Sequence, residues 1–136
     1  MQADTKIAVL LRDDLLTWQR LNVTAFLVSG LGTVQPSLVG SPYEDGSGVH
    51  YLAMFGQPVL VFEGTAEVVK AAHSRAVGRH LPTSIFTADL FATGNDEDNR
   101  AAVRAVATEK LDLVGLAVCG PRNAVDKVVK GARMHP

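Results

Sequence analysis

Apolar residues along the chain fall into two patterns that alternate from one end to the other. Short, almost unbroken apolar runs within Lys6–Arg12, Gln57–Phe62 and Leu111–Val118 have the length and density of strands buried on both faces. Thr83–Thr87 predicts a further, shorter strand. Helical periods separate them. From Leu15 to about Gly30, positions Leu15, Trp18, Leu21, Ala25 and Val28 share one face and are joined by Leu16, Val23, Phe26 and Leu27. That predicts a helix buried over much of its circumference, with Asp14 placed to cap it. Thr65 predicts the cap of a second helix to about Arg79, with Val69, His73, Ala76 and Val77 turned inward and Glu67 in its first turn. Asn95 opens a third through Ala105, acidic at its start and carrying Arg100 and Arg104 later, as the helix dipole prefers. After the last strand, Gly120 allows a tight turn and Pro121 suits the first helical position. Ala124, Val125, Val128 and Val129 then recur at helical spacing, and Gly131 is the expected stop.

Two stretches follow neither pattern. Residues 32–48, with Gly32, Pro36, Gly40, Pro42, Gly46 and Gly48, read as a long loop, followed by a short extended piece from His50 to Phe55. Ala88–Thr93 reads as a single turn. The resulting order of strand and helix, four times over and without an internal repeat, predicts an α/β sandwich with helices on both faces of a small sheet.

Composition narrows the class. At 136 residues and 47% apolar content the chain forms one domain, 1–136, with a sizeable core. A net charge of −1 gives no global basic field for nucleic acid or membrane. The apolar runs are far too short to span a bilayer, and Met1–Lys6 has no apolar segment of signal type. A single cysteine, Cys119, forms no internal disulfide and fits a reducing compartment, so a cytoplasmic protein is expected. There is no phosphate loop, dinucleotide fingerprint or metal-spaced Cys/His set, so neither a cofactor nor a metal is expected.

Candidate chemistry sits where strands end, the usual place for sites in α/β proteins. Arg12 and Asp14 follow the first strand and read either as an anion grip with a free carboxylate or as a solvated loop and cap. Asp89 and Thr93 follow the third strand, as a general base and its neighbour or as turn residues. Cys119 reads as a small core hydrophobe rather than a nucleophile, His73 as a buried imidazole, and Trp18 as core. Arg122, Lys127, Lys130 and Arg133 make the end of the chain locally basic: a solvated helix face, or a weak RNA-binding edge.

Arg12-Asp-Asp-Leu15, Trp18-Gln-Arg-Leu-Asn-Val-Thr-Ala-Phe26, Gln57-Pro-Val-Leu-Val-Phe-Glu-Gly64, Leu90-Phe-Ala-Thr-Gly-Asn-Asp96 and Cys119-Gly-Pro-Arg-Asn-Ala-Val-Asp-Lys-Val-Val-Lys-Gly-Ala-Arg133 carry a resemblance. Through these segments the chain resembles the uncharacterised bacterial domain-of-unknown-function family two thousand. The resemblance implies the fold of type II peptidyl-tRNA hydrolases, a three-layer α/β/α sandwich around a mixed four-stranded sheet, and a homodimer. The hydrolases' Arg-x-Asp-Leu is similar to Arg12–Leu15, their Asp-x-x-x-Thr to Asp89–Thr93, and their Gly-Pro turn to Gly120–Pro121. Their first-helix Lys, Gln and His would fall on Leu21, Ala25 and Val28.

The expected function is therefore binding of a small ligand or anion at the strand ends, through Arg12, Asp14, Asn22, Arg122 and Asn123. Alternatives are a diverged hydrolase working through Asp89 and Thr93, or a protein-interaction module presenting the 32–48 loop. RNA is the lesser partner and a membrane is not expected.

Overall fold

β1, Thr5–Arg12, is the strand on which the sheet is assembled. The computed structural model describes residues 4–136, so the opening Met-Gln-Ala of the stretch read for a leader lies outside it. β1 is followed by α1 (Thr17–Val34), the short strands β2 (Tyr43–Glu44) and β3 (His50–Tyr51), and β4 (Val59–Gly64). Then come α2 (Ala66–Gly78), β5 (Thr83–Thr87), α3 (Asp96–Arg104), β6 (Leu113–Pro121), α4 (Arg122–Val128) and β7 (Arg133–Met134). Single turns of 3-10 helix cover Pro36–Leu38, Ala88–Ala92 and Thr108–Lys110. Among the described residues the main sheet has five strands in the order β5-β6-β1-β4-β7. β1 runs parallel to β4 and antiparallel to β6, so the sheet is mixed.

The expected four strands become five because Arg133–Met134 pairs antiparallel with Phe62–Glu63. Two residues, Arg133 and Met134, are too few to carry a strand pattern of their own. They are delivered there by Gly131, whose φ of +93° turns the chain back after α4.

Alternation along β1 divides the core. Ile7, Val9 and Leu11 face α1, while Ala8 and Leu10 face α2 and α4. β6 does the same with Val114, Ala117 and Cys119 against Leu116 and Val118. Opposite Phe86 and Thr87 the register slips, leaving Val114 as a bulge between Leu113 and Gly115. Gly115 matters for packing: a Cβ there would meet Leu11, Val23 and Leu27 at 3.1–3.2 Å, so its bareness lets α1 settle on the sheet.

The caps on α2 and α3 stand as expected. Thr65 accepts from the Val68 amide and Asn95 from the Asp98 amide. α1 departs from expectation at both ends. It starts at Thr17, with Leu16 at the cap position and the Leu16 amide held by the Gln19 side chain at 2.9 Å. Asp14 is drawn to Arg12 instead. The helix passes through Gly30 to Val34, where Pro36 ends it. Its buried stripe is Val23, Leu27 and Leu31, not the face through Trp18 and Leu21, which are exposed. β6 likewise outruns its expected end. It keeps pairing through Gly120 and Pro121 with Lys6 and Thr5, so Gly120 lies in a strand rather than a turn.

The 32–48 loop resolves into the end of α1, a 3-10 turn and β2, which forms a hairpin with β3 from the expected 50–55 extended piece. Val77, expected inward, is half exposed, and Ala72 takes its place beside Val69, His73 and Ala76.

Two outcomes follow from this packing. Gly115→Val should wedge α1 off the sheet and lower unfolding stability in urea by about 1–3 kcal/mol. His73 is buried, and that burial pushes its imidazole below its ordinary value of 6.5. The unfolded chain therefore takes up that proton first, and stability contributed by neutral His73 falls as pH drops below about 6.5. Denaturant midpoints measured from neutral pH downward should fall less steeply in His73→Leu than in the parent.

Candidate functional site

β1 and β4 run parallel, so Arg12 and Glu63–Gly64 reach the same edge of the sheet. Glu63 is paired with Leu11 and takes the α1-facing position after Val59 and Val61, where alternation calls for an apolar residue. It is 5% exposed, and a carboxylate so placed needs charged partners. It has two. Arg20 of α1 donates from Nη1 to Glu63 Oε2 at 2.5 Å, and Arg133 of β7 donates from Nη2 to Oε1 at 3.0 Å. Arg20 also donates from Nε to the Leu15 carbonyl and from Nη2 to the Asp13 carbonyl, each at 3.0 Å. Arg133 lies 3.4 Å from Asp13 Oδ2. Two guanidiniums and two carboxylates balance.

Two members of this cluster, Arg20 and Glu63, line a groove of about 870 Å³ along the first half of α1. Its walls are mostly apolar, from Leu15, Leu16, Leu21 and Ala25 on the helix side to Val61 and Phe62 on the strand side. Thr17, Thr24, Arg20, Glu63 and His135 supply the polar side chains, and Thr24 is already engaged, donating to the Arg20 carbonyl at 2.7 Å.

The residues singled out in the sequence do not gather there. Arg12 is fastened to Asp14 Oδ1 at 2.7 Å and to Asp112 Oδ1 at 2.9 Å, and the Asp14 bond raises its guanidinium pKa. Asn22 and Thr93 share a second groove of about 380 Å³ across α1, floored by Phe86 and Phe91 with Trp18 at its edge. There Thr93 is hydrogen-bonded to Asn99 and to the Leu90 carbonyl. Asp89 is exposed on the 88–92 turn and does not line the groove that Thr93 lines. Arg122 and Asn123 are at the far end of the sheet. β6 is antiparallel to β1, so the start of α4 lies beside Thr5, roughly 20–25 Å along β1 from Arg12. Arg122 lines a third depression there with Lys6, Gln57 and Pro58.

Cys119 lies in the core, where burial pushes its thiol up, in keeping with a packed side chain rather than a nucleophile. Among the described residues no three His, Cys, Asp or Glu side chains assemble as a metal set, and no helix is long and apolar enough to cross a membrane.

The model of a family described as "Protein of unknown function (DUF2000)" matches residues 5–136. The chain belongs to the DUF2000 family. Among solved structures, this DUF2000 chain is similar to a protein of unknown function from Agrobacterium tumefaciens strain C58. The two are 42% identical, with a TM-score of 0.94 over 98% of each chain. No curated protein matches the DUF2000 chain.

The Arg20–Glu63–Arg133 cluster carried one readable sign, a lone acid at the end of an otherwise apolar strand with one arginine in an otherwise uncharged helix. Glu63→Ala should strand two guanidiniums and cost about 3 kcal/mol, the low end for a broken buried pair because both arginines keep contact with water. Arg133→Ala, at an exposed side chain, should cost under about 1 kcal/mol in the same urea melts.

Proposed function

We propose that the chain is a binding domain for a small, mainly apolar molecule with one neutral polar head group. The molecule would be seated in the groove between α1 and β4. The observation that carries this reading is the groove's make-up: about 870 Å³ of mostly apolar wall over a charge-balanced floor. Size and lining both match those of ordinary small-molecule sites. Arg20, Arg133 and Arg12 each already hold a carboxylate, which favours a neutral head group over a free anion. Glu63 keeps spare lone pairs and Arg20 spare N–H groups, so the pair can both accept from and donate to such a head.

Kinship with the type II peptidyl-tRNA hydrolases belongs to this proposal. Leu21, Ala25 and Val28 stand where those enzymes' Lys, Gln and His would fall, and Leu21 and Ala25 line the groove. In this reading a polar catalytic face has been exchanged for an apolar binding wall on an inherited fold. Hydrolysis through Asp89 and Thr93 is less well supported, since the two do not share a groove.

N-Phenyl-1-naphthylamine, a neutral apolar probe with one N–H, should gain fluorescence on titration with the protein. Ala25→Trp, which fills the groove, should weaken its binding at least tenfold (about 1.4 kcal/mol). Asn123→Ala, at the far end of the sheet, should leave it unchanged. Probe binding indifferent to Ala25→Trp, or turnover of a peptidyl-tRNA ester, would overturn the reading.

A further inference from the structure

The two edges of the main sheet are finished differently. At one, β7 offers only Arg133 and Met134, and Arg133 is bound to Glu63. At the other, β5 runs as Thr83-Ser-Ile-Phe-Thr87, with neither a charge nor a proline within it. Proteins usually guard such an edge with lysine, proline, a bulge or a covering element, because its outward N–H and C=O groups pair readily with another strand. In the antiparallel ladder with β6, alternate residues of β5 aim those groups outward. Among the described residues, no backbone group outside that ladder bonds to Thr83–Phe86.

α3 stands beside this edge without covering it, and none of its residues is buried. Between the two lies a groove of about 520 Å³. A depression over one face of a strand touches alternate residues. This one touches Ser84, Ile85 and Phe86 in succession, so it follows the edge of β5. Phe26 and Leu27 of α1 and Leu90 give it an apolar inner wall, and α3 contributes Val103. Its ionised side chains are Asp96, Arg100 and Arg104, each one turn of α3 beyond the last. Asp96 and Arg100 form an ion pair. Arg104 has no carboxylate partner among the described residues.

We propose that this groove takes up an extended segment of a partner protein, added to the sheet as a further strand beside β5. The edge supplies main-chain hydrogen bonds, which fix the segment's conformation, and the walls select its sequence. Every second side chain of the segment turns toward Phe26, Phe86 and Val103 and is apolar. An acidic side chain at its end meets Arg104, the one cation of the groove left unmatched. β5 spans roughly 17 Å, so the recognised stretch is about five residues. α3, which buries nothing in the free chain, then has a surface to close upon. The groove shares no residue with the one between α1 and β4, so this inference stands apart from the small-molecule reading.

The peptide acetyl-Glu-Thr-Ile-Thr-Ile-Thr-Glu-amide suits the test. Its isoleucines and glutamates share one face, and its symmetry sets a glutamate at the Arg104 end whichever way the strand runs. Isothermal titration calorimetry on the full chain should give saturable one-to-one binding. Arg104→Glu, at an exposed side chain, should weaken that binding at least about tenfold. A peptide with lysine for both glutamates should prefer this variant to the parent, which shows that the variant keeps its groove. With peptide at about ten times its Kd, amide exchange read by NMR should slow about tenfold at alternate residues of Thr83–Thr87. Absence of binding at millimolar peptide, binding indifferent to Arg104→Glu, or binding without protection of β5 would overturn the inference. So would a β5 edge already paired with a second copy of the chain.

Discussion

Glu63 is where the structure commits itself. An ionised carboxylate under α1 is tolerable only with partners of opposite charge at hand, and it recruits one from each side: Arg20 from the helix and Arg133 from the last strand. The same ion pairs hold down β7, whose two residues would otherwise be a weak addition to the sheet edge. A well-packed apolar trio could give equal stability, so what the charges add is position. α1 is apolar around most of its circumference, and hydrophobicity alone does not choose which face turns inward. Arg20 does. With its guanidinium bound to Glu63 and to the Asp13 and Leu15 carbonyls, Val23, Leu27 and Leu31 must point to the sheet and Trp18, Leu21 and Phe26 must point away.

That dependence explains what the sequence could and could not disclose. The strands around Val9, Leu60, Ile85 and Leu116, and the caps at Thr65 and Asn95, were legible because local pattern and turn chemistry decide them. The orientation of α1 was not, because it rests on a contact between residues 43 apart. Spacing placed Trp18 and Leu21 inward, while the charge that governs the rotation, Arg20, sits between them. β7 was invisible for a related reason, since Arg133–Met134 is a strand only by virtue of what it lies beside.

The scatter of the candidate site has a different cause. Strand ends were read as if every strand pointed the same way, which would have brought Arg12, Asp89 and Asn123 together. β6 points the other way, and alternating apolar residues look the same in either direction. The grouping of Asn22 with Thr93 was equally hidden, since it depends on how the 88–99 segment folds against the outer side of α1. Charged residues at the strand ends also proved to be one another's partners, Arg12 with Asp14 and Asp112 and Arg133 with Asp13, leaving the apolar wall of the groove as the distinctive surface.

Leu16, Leu21 and Ala25 belong both to that wall and to the exposed side of α1. A helix kept free of outward charge by one inward arginine is what leaves that stretch of surface apolar.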